Sequence, residues 1–281
     1  MENLEEDVKR VLKDSPEYEK LLGVFKEMLI AQREARDKLP AVEVDLDAGK
    51  AAEFANAGEA LLGKIEAGLD ADAAAELFEK LKGIAAGHGD EFGEETGKID
   101  VAIEAGRLDL KGLLEEVFAG GSAEDLKKKA MDLELDPHFF ALLVFSSVRP
   151  SLELYAEKLR PMIDDKDLEK RLCPVCGRMP YISLLEGEEG RRALCCPACS
   201  TTWRFPRLRC VNCGEEDHEK LRMLYPEGGS RERYADVCDE CKRYLKVVDS
   251  RKLVRAPVMM IADAATLHID MLAQREGFVT L

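Results

Sequence analysis

Apolar residues recur at helical spacing through the first 60% of the chain, up to about residue 168. Within each group they fall three or four positions apart, so their side chains share one face of a helix. The clearest groups are Leu21, Leu22, Phe25, Met28 and Leu29; Leu61, Leu62 and Ile65; Leu77, Phe78, Leu81 and Ile84; and Leu110, Leu113, Leu114, Val117 and Phe118. The pattern predicts an all-α domain over residues 1–168.

Capping residues predict where some of these helices begin. Ser15 followed by Pro16 is typical of a helix cap and first turn. Ser122 and Asp125 resemble a capping box, in which the first side chain accepts from a backbone N–H three residues on. The box predicts a short helix that ends at Asp132.

Two prolines frame the most apolar segment of this domain. Asp136 and Pro137 are expected to cap and begin a helix. Because proline has no N–H to donate within a helix, Pro150 is expected to end this helix after Val148. A last helix is then predicted over residues 152–163.

The apolar pattern changes to short strands and glycine turns in the last third of the chain. Residues 181–185 are predicted to form a strand, Gly187 and Gly190 to bracket an acidic turn, and residues 191–194 to return as a second strand. A second hairpin is predicted to turn at Gly228-Gly229. This region adds a small β component to the helical domain.

The end of the chain returns to helical spacing. Six positions fall on one face of a predicted terminal helix: Ile261, Ala264, Ala265, His268, Met271 and Leu272. We expect this helix to pack back on the helical domain.

Four Cys-x-x-Cys knuckles lie between the helical domain and this last helix, and they hold eight of the nine cysteines: Cys173, Cys176, Cys196, Cys199, Cys210, Cys213, Cys238 and Cys241. Two knuckles can close a tetrahedral shell of four thiolates around zinc or iron. The spacings favour pairing in sequence order, which gives one site from the first four cysteines and one from the last four. An arrangement in which alternate knuckles share a metal is also compatible with the spacing.

A disulfide scaffold is the main alternative for so many cysteines. The first residues lack the basic and apolar regions of a secretory signal, and the apolar run 139–145 is too short to span a bilayer. A cytoplasmic location without membrane insertion is therefore expected. Because thiols stay reduced there, the knuckles predict two metal ions per chain.

Charge argues against a nucleic-acid partner. The 281 residues include 41 Lys+Arg and 56 Asp+Glu, a formal net charge of −15. Residues 173–255 hold 16 Lys+Arg and 13 Asp+Glu, and two four-thiolate sites with divalent metals bring this region close to neutral. Phosphate backbones are normally bound by strongly basic surfaces, so no nucleic acid is expected.

The predicted fold class is therefore α+β, in four segments. A helical domain (1–168) precedes a first four-cysteine metal ribbon (169–202), a second four-cysteine metal ribbon (203–256) and a C-terminal helix (257–281). The metal modules are expected to be of the zinc-ribbon or rubredoxin-like kind.

The segment between the two ribbons is the candidate partner-binding surface. Strand-like alternation places Trp203 and Phe205 on one face and Arg204 on the other, with Arg207 and Arg209 following. The arginines could bind an acidic partner segment or phosphate groups. The alternative for the two aromatic residues is inward packing in the core.

Cys195 is the ninth cysteine and directly precedes the second pair of the first ribbon. A spare reactive thiolate and a small buried apolar side chain are the two possible interpretations, and the buried side chain is favoured.

The cysteine region resembles the formate dehydrogenase accessory protein FdhE family. The resemblance covers residues 171–278 and depends on the order and context of several short motifs: Cys173-Pro-Val-Cys-Gly-Arg-Met-Pro180, Cys196-Pro-Ala-Cys199 followed by Trp203, Cys210-Val-Asn-Cys213, Cys238-Asp-Glu-Cys241 with Tyr244-Leu245-Lys246, and Glu276-Gly277-Phe278. Over the first 165 residues the likeness is one of helical character alone.

The resemblance implies a cytoplasmic maturation factor and not an enzyme. Members of that family are needed for active molybdenum- or tungsten-dependent formate dehydrogenases and are thought to bind the catalytic subunit. The resemblance also implies that the eight paired cysteines are metal ligands, with iron or zinc as the metal. Cys195 is not part of the family pattern.

Three alternatives come from the metal chemistry alone. A rubredoxin-like electron carrier would need bound iron, and it would leave the long helical domain without a role. A zinc-ribbon protein that binds nucleic acid is opposed by the charge. Hydrolytic zinc catalysis is opposed by the full thiolate shells, which leave no position for water.

Overall fold

The computed structural model describes residues 2–164, 169–228 and 231–281. Within them the chain forms ten α-helices: α1 (Glu2–Asp14), α2 (Glu19–Arg36), α3 (Ala48–Ala57), α4 (Ala71–Ala86), α5 (Asp90–Glu104), α6 (Leu110–Phe118), α7 (Ala123–Asp132), α8 (Pro137–Leu159), α9 (Met259–Ala264) and α10 (Leu267–Arg275). The seven strands are β1 (Ile182–Glu186), β2 (Arg191–Cys195), β3 (Thr202–Arg204), β4 (Leu221–Leu224), β5 (Arg233–Cys238), β6 (Arg243–Asp249) and β7 (Val279–Thr280). The predicted α+β class is confirmed. The predicted domain limit at residue 168 and the turn residue Gly229 lie outside the described residues.

Helix α8 lies at the centre of the helical part. This helix contacts α2, α4, α6 and α7, and its buried side chains include Phe140, Leu143 and Val144. The capping box is confirmed, because Ser122 Oγ accepts from the Asp125 N–H at 3.0 Å and α7 ends at Asp132. Four more helices have an aspartate cap that accepts from the first turn: Asp47, Asp70, Asp109 and Asp136.

The prediction that Pro150 ends a helix was wrong. Helix α8 continues through Pro150 to Leu159, so the two predicted helices are one. Proline leaves the carbonyl four residues earlier without its helical donor. Here that carbonyl belongs to Ser146, and the buried side chain of Gln32 donates to it at 2.9 Å. A donor from α2 thus replaces the missing bond and lets the helix continue.

Two other predicted helix starts differ in the structure. Pro16–Tyr18 forms a three-residue 3-10 turn before α2, and Ser15 makes no side-chain cap hydrogen bond among the described residues. Leu61–Lys64 is also a 3-10 turn and not an α-helix. The backbone N–H groups of Leu61 and Leu62 donate to the carbonyls of Pro174 and Val175, at 3.0 and 2.8 Å. Docking against the first knuckle thus holds this segment as a short turn.

The two cysteine ribbons share one sheet. Its strand order is β3-β2-β1-β6-β5-β4, with β7 paired to β6. The predicted hairpins are both present, as β1 with β2 and β4 with β5, and β1 pairs in parallel with β6 to join them. The division at residues 202/203 stays a prediction, since the hydrogen-bonded sheet runs continuously across it.

The terminal segment is two helices instead of one. Helix α9 packs on the helical part, where Ile261, Ala264 and Ala265 join a buried cluster with side chains of α1 and α2. Helix α10 packs on the sheet through Ile269 and Ala273. The predicted single apolar face is therefore wrong beyond Ala265. The break between the helices changes the phase, and Met271 and His268 are exposed.

Segment Pro137–Met162 has the length and apolar composition of a helix that could cross a membrane. However, 67% of its most apolar window is buried inside the protein, because α8 is the centre of the helical core. Its apolar side chains are thus accounted for by packing against the surrounding helices.

Candidate metal centres

The structure brings the eight paired cysteines together as two groups of four. Site 1 comprises Cys173, Cys176, Cys196 and Cys199, and site 2 comprises Cys210, Cys213, Cys238 and Cys241. Within each group all four sulfur atoms lie within 4.8 Å of one another. The knuckles therefore pair in sequence order, and the alternate arrangement does not occur.

The residue after the second cysteine of each knuckle has a left-handed backbone. Gly177 and Gly214 have φ angles of 78° and 81°, and Ser200 and Lys242 have 56° and 55°. This conformation curls the chain back past the two sulfurs, so that Gly177 N–H donates to Cys173 O and Gly214 N–H to Cys210 O. The four knuckles are thus built alike, with glycine at two of the strained positions.

The sulfur separations fit a tetrahedral metal ion. In site 1, Cys173 lies 3.5 Å from Cys199 and Cys176 lies 3.4 Å from Cys196, measured between Sγ atoms. In site 2 the corresponding distances, from Cys210 to Cys241 and from Cys213 to Cys238, are both 3.7 Å. A tetrahedral ion with bonds of about 2.3 Å to sulfur needs separations of about 3.8 Å. Each group could therefore hold one metal ion, which agrees with the predicted two per chain.

Burial makes the anionic form of one free thiol in each site unfavourable. It raises the pKa of Cys173 in site 1 and of Cys210 in site 2. A bound cation reverses this preference, since a metal stabilises the thiolates that it binds. The knuckles also provide polar groups for sulfur: the Ala198 N–H donates to Cys196 Sγ at 3.4 Å, and the Thr201 hydroxyl lies 3.1 Å from Cys199 Sγ.

The two sites differ in exposure. The four cysteines of site 1 are all buried, with exposed fractions between 1% and 7%. In site 2, Cys213 is exposed and Cys241 is half-buried. The sulfur shell of site 2 is therefore open to solvent, whereas the cysteines of site 1 have almost no exposed surface.

Site 1 is part of the helical core. Cys173, Cys176, Cys196 and Cys199 belong to the same buried cluster as the side chains of α4 and α8. Arg178, beside the first knuckle, donates to the Val117 carbonyl at the end of α6. From the second knuckle, the Ser200 hydroxyl donates to Glu153 of α8 at 2.6 Å. Site 1 thus joins the sheet to the helices.

The predicted partner-binding residues differ from one another in burial and in ion pairing. Trp203 is 1% exposed, and its indole N–H donates to the Lys170 carbonyl at 2.7 Å. This tryptophan, like Phe205, packs in the core and has no surface to offer to a partner, which corrects its assignment to a binding surface. Arg204 and Arg207 are exposed, whereas Arg209 is ion-paired with Glu169 and Glu216.

Cys195 is a buried residue of β2 and is 2% exposed. It packs with apolar neighbours such as Ile182, Leu184 and Val248. Burial raises its pKa to about 12, so it is a neutral thiol at neutral pH. The favoured interpretation, a small buried apolar side chain, agrees with this placement.

A groove beside site 2 was not predicted from the sequence. It encloses about 350 Å³ between the 207–211 segment and strands β4 to β6, and its wall includes Arg207, Leu208 and Met223. Leu208 is 71% exposed and Met223 is 53% exposed. In the sequence, only the residues that directly follow Phe205 could have indicated this groove. Its other wall includes β4, which is brought there by strand pairing with residues distant in sequence.

Comparison with known proteins identifies the sulfur-rich region. Residues 172–207 match the family model described as FdhE, central domain, and residues 208–280 match the model described as FdhE, C-terminal domain. The two matched ranges contain all eight knuckle cysteines.

Curated relatives carry the same name. A "Protein FdhE homolog" of Aquifex aeolicus is 29% identical over 188 residues, which are 64% of this chain and 64% of the relative. "Protein FdhE" of Escherichia coli is 30% identical over 168 residues, which are 54% of this chain and 53% of the relative. The chain therefore covers less than two thirds of the length of these relatives.

The fold also matches a solved structure over nearly its whole length. The crystal structure of the FdhE protein from Pseudomonas aeruginosa aligns with a TM-score of 0.70 at 19% sequence identity. The alignment covers 99% of this chain and 92% of that protein. The helical part is thus included in the shared fold.

Proposed function

We propose that this chain is an accessory protein for the maturation of formate dehydrogenase, because residues 172–280 match the central and C-terminal domain models of the FdhE family. The observation that carries the proposal is the match of both sulfur-rich domains, with all eight knuckle cysteines inside the matched ranges. In this role the protein binds the molybdenum- or tungsten-dependent catalytic subunit in the cytoplasm. It performs no catalysis of its own.

The eight knuckle cysteines are the ligands in this proposal, four to each of two ions. Their donor set of four sulfurs fits zinc and rubredoxin-type iron alike. When bound, the ion supplies four strong bonds that close two knuckles around one centre. Since four thiolates complete the tetrahedral shell, no position is left for water or substrate, and this chemistry supports a scaffold rather than a hydrolase.

The binding surface in this proposal is the groove beside site 2 together with the preceding arginines. Exposed Leu208 and Met223 offer apolar contact, and Arg207 offers a cation that makes no hydrogen bond or ion pair with the described residues. Arg204 is exposed on β3 and adds a second cation. Arg209 is a weaker candidate because two glutamates already neutralise it. An acidic and apolar segment of the catalytic subunit is the partner that this surface fits.

The test is affinity capture of the tagged chain, without oxygen, from formate-grown cells, with the bound proteins identified by mass spectrometry. We expect enrichment of a formate dehydrogenase catalytic subunit. Arg204→Ala with Arg207→Ala should reduce its recovery without loss of metal, whereas Arg107→Ala, an exposed arginine outside the groove, should not. Recovery of nucleic acid or ribosomes in place of the dehydrogenase would contradict the proposal.

A redox role for site 2 is the second candidate, and the exposure of Cys213 favours it. An iron ion held there would supply one-electron chemistry between Fe³⁺ and Fe²⁺. It would take one electron from a donor protein and pass it to an acceptor protein. The test is a redox titration of the iron-loaded protein. Reversible bleaching of the ferric-thiolate colour supports this candidate, and a colourless protein with zinc as its native metal excludes it.

A further inference from the structure

A larger cavity lies between the helical part and the sheet. It encloses about 690 Å³, and its walls come from α2, α8, the second knuckle of site 1 and the 258–260 segment. Sites for small molecules have volumes of about 300 to 1,000 Å³ and often lie where two parts of a protein meet. The size and position of this cavity are therefore those of a ligand site.

Arginines are the most numerous charged residues of the cavity wall. Its lining includes four arginines and two glutamates: Arg33, Arg36, Arg149, Arg160, Glu153 and Glu157. Arg36 is paired with both glutamates. Arg160 donates to the Thr202 and Ile163 carbonyls. Cys196 and Cys199 of site 1 also line the cavity, so the thiolates of a metal-loaded site lie near these arginines. An anionic occupant is favoured by Arg33 and Arg149, which form no ion pair with the two glutamates.

Two buried side chains in the wall have polar atoms without partners. Arg149 is 9% exposed and donates through Nη2 to the Pro197 carbonyl, but its Nε is buried with no acceptor among the described residues. Gln32 is 5% exposed, and its Oε1 likewise has no donor in the described part of the chain. Leaving buried polar atoms unpaired is costly, so such atoms often mark the place of a missing group. Of these two atoms only the Arg149 Nε–H, a donor, suits an anion, because Gln32 Oε1 is itself an acceptor.

Arg33 provides a second cation on the facing helix. It is exposed on α2, and it makes no hydrogen bond or ion pair with any residue that the structure describes. Arg149 approaches the same cavity from α8. Guanidinium groups bind carboxylates and phosphates through paired hydrogen bonds, so these two arginines suit one anionic group.

One part of the remaining wall is apolar. Leu29, Ile30 and Met259 line the cavity, and each is half-buried. We infer that the cavity binds a small organic oxyanion, a carboxylate or a phosphate, with its charged group at Arg149 and Arg33 and its apolar part against these three side chains. This inference is independent of the proposed role in formate dehydrogenase maturation.

The test is isothermal titration calorimetry of the metal-loaded full chain with phenyl phosphate and with benzoate. We expect saturable binding of one molecule per chain by at least one of the two, and the better probe identifies the anion as phosphate or carboxylate. Phenol, which lacks the charge, should not bind. Inorganic phosphate, which lacks the apolar part, should bind more weakly than phenyl phosphate.

Variants connect the binding to the cavity. Arg33→Gln should weaken binding of the better probe by about tenfold or more, since it removes one charge-assisted contact. It breaks no hydrogen bond or ion pair of the described structure, so its fold should be retained, whereas Arg149→Gln also removes the bond to Pro197. Arg107→Gln is the matched control and should bind like the wild type.

Three results would overturn the inference. The first is the absence of saturable binding by both probes, and the second is unchanged affinity in Arg33→Gln. The third adds to the first: neither small anion binds, but an acidic peptide such as hexaglutamate does, and Arg33→Gln weakens the binding of that peptide. That result would assign the cavity to a protein segment.

Discussion

Site 1 and site 2 have the same four-thiol chemistry in different surroundings. Site 1 is buried and belongs to the core cluster of the helical part. Site 2 lies at the far side of the sheet, with Cys213 exposed and a groove beside it. The difference shows that identical ligand sets can have very different surroundings. Site 1 joins the sheet to the helices, whereas the binding surface that we propose lies beside site 2.

The contacts of the knuckles agree with this division. Pro174 and Val175 of site 1 accept backbone hydrogen bonds from the Leu61-Leu62 turn. At site 2, Val211 packs in the core cluster, and the exposed Arg171, just before the first knuckle, donates to the Asn212 carbonyl at 2.9 Å. Removing a metal from site 1 should therefore disturb the helical part, whereas removing one from site 2 should leave it folded.

The largest expected effect is on stability, in two single variants that each lose one cysteine ligand, one from site 1 and one from site 2. A structural metal of this kind contributes on the order of 10 kcal/mol to folding. Cys176→Ser should therefore lower the Tm of the whole protein by about 10 °C or more, as followed by the helical circular dichroism signal. Cys213→Ser should shift the same signal much less. Equal shifts in the two variants would contradict the proposed division.

Metal release should also differ between the sites. A chelator reaches an exposed thiolate shell directly, but a buried shell is reached only when the structure opens. On addition of excess chelator to the wild type, we expect one ion per chain to leave at least about tenfold faster than the other. The measurement is absorbance of a metal-binding dye over time. Release of both ions in one phase would remove the distinction between the sites.

Substitutions of Arg178 and Arg171 should have smaller effects on stability, and they compare one arginine contact at each site. Arg178 donates from the first knuckle to Val117 of the helical part, and Arg171 donates to Asn212 at site 2. Arg178→Met should cost about 1 to 3 kcal/mol, because it removes a charge-assisted hydrogen bond between the first knuckle and the end of α6. Arg171→Met should change the free energy of unfolding by less than about 0.5 kcal/mol. Chemical denaturation of the metal-loaded variants gives both values, and the reverse order would show that site 2 carries the more important contact.

The smallest effects are expected at the two knuckle glycines. Both have positive φ, so alanine costs about 1 kcal/mol of backbone strain at either position. An added Cβ at Gly177 would lie 3.3 Å from the Cβ of Ala60, whereas at Gly214 it meets no described atom within 4 Å. Gly177→Ala should therefore be the more destabilising in denaturation experiments. A larger loss from Gly214→Ala would mean that crowding against the helical part is unimportant.

The sequence predicted the local features of the sites well. The knuckle pairing, both hairpins and the turn after each second cysteine follow from short spacings, so nearby residues contain the necessary information. The division of the cysteines between two sites follows their order along the chain, which the spacing favoured although it was also compatible with the alternate arrangement.

The errors arose where distant residues decide the outcome. Helix α8 continues through Pro150 because Gln32, 114 positions before Ser146, donates to the Ser146 carbonyl. The Leu61-Leu62 segment is a short turn because the first knuckle accepts its N–H groups. The parallel pairing of β1 with β6 likewise joins segments more than 60 residues apart. The hydrophobic pattern within one helix or strand gives no information about these distant partners.

Metal counting by native mass spectrometry, on protein purified without oxygen, tests the central claim of two separate four-thiol metal centres most directly. The account predicts two zinc or iron ions per wild-type chain, and one in Cys176→Ser and in Cys213→Ser. A wild-type chain with fewer than two ions, or a single variant that loses both, would contradict it.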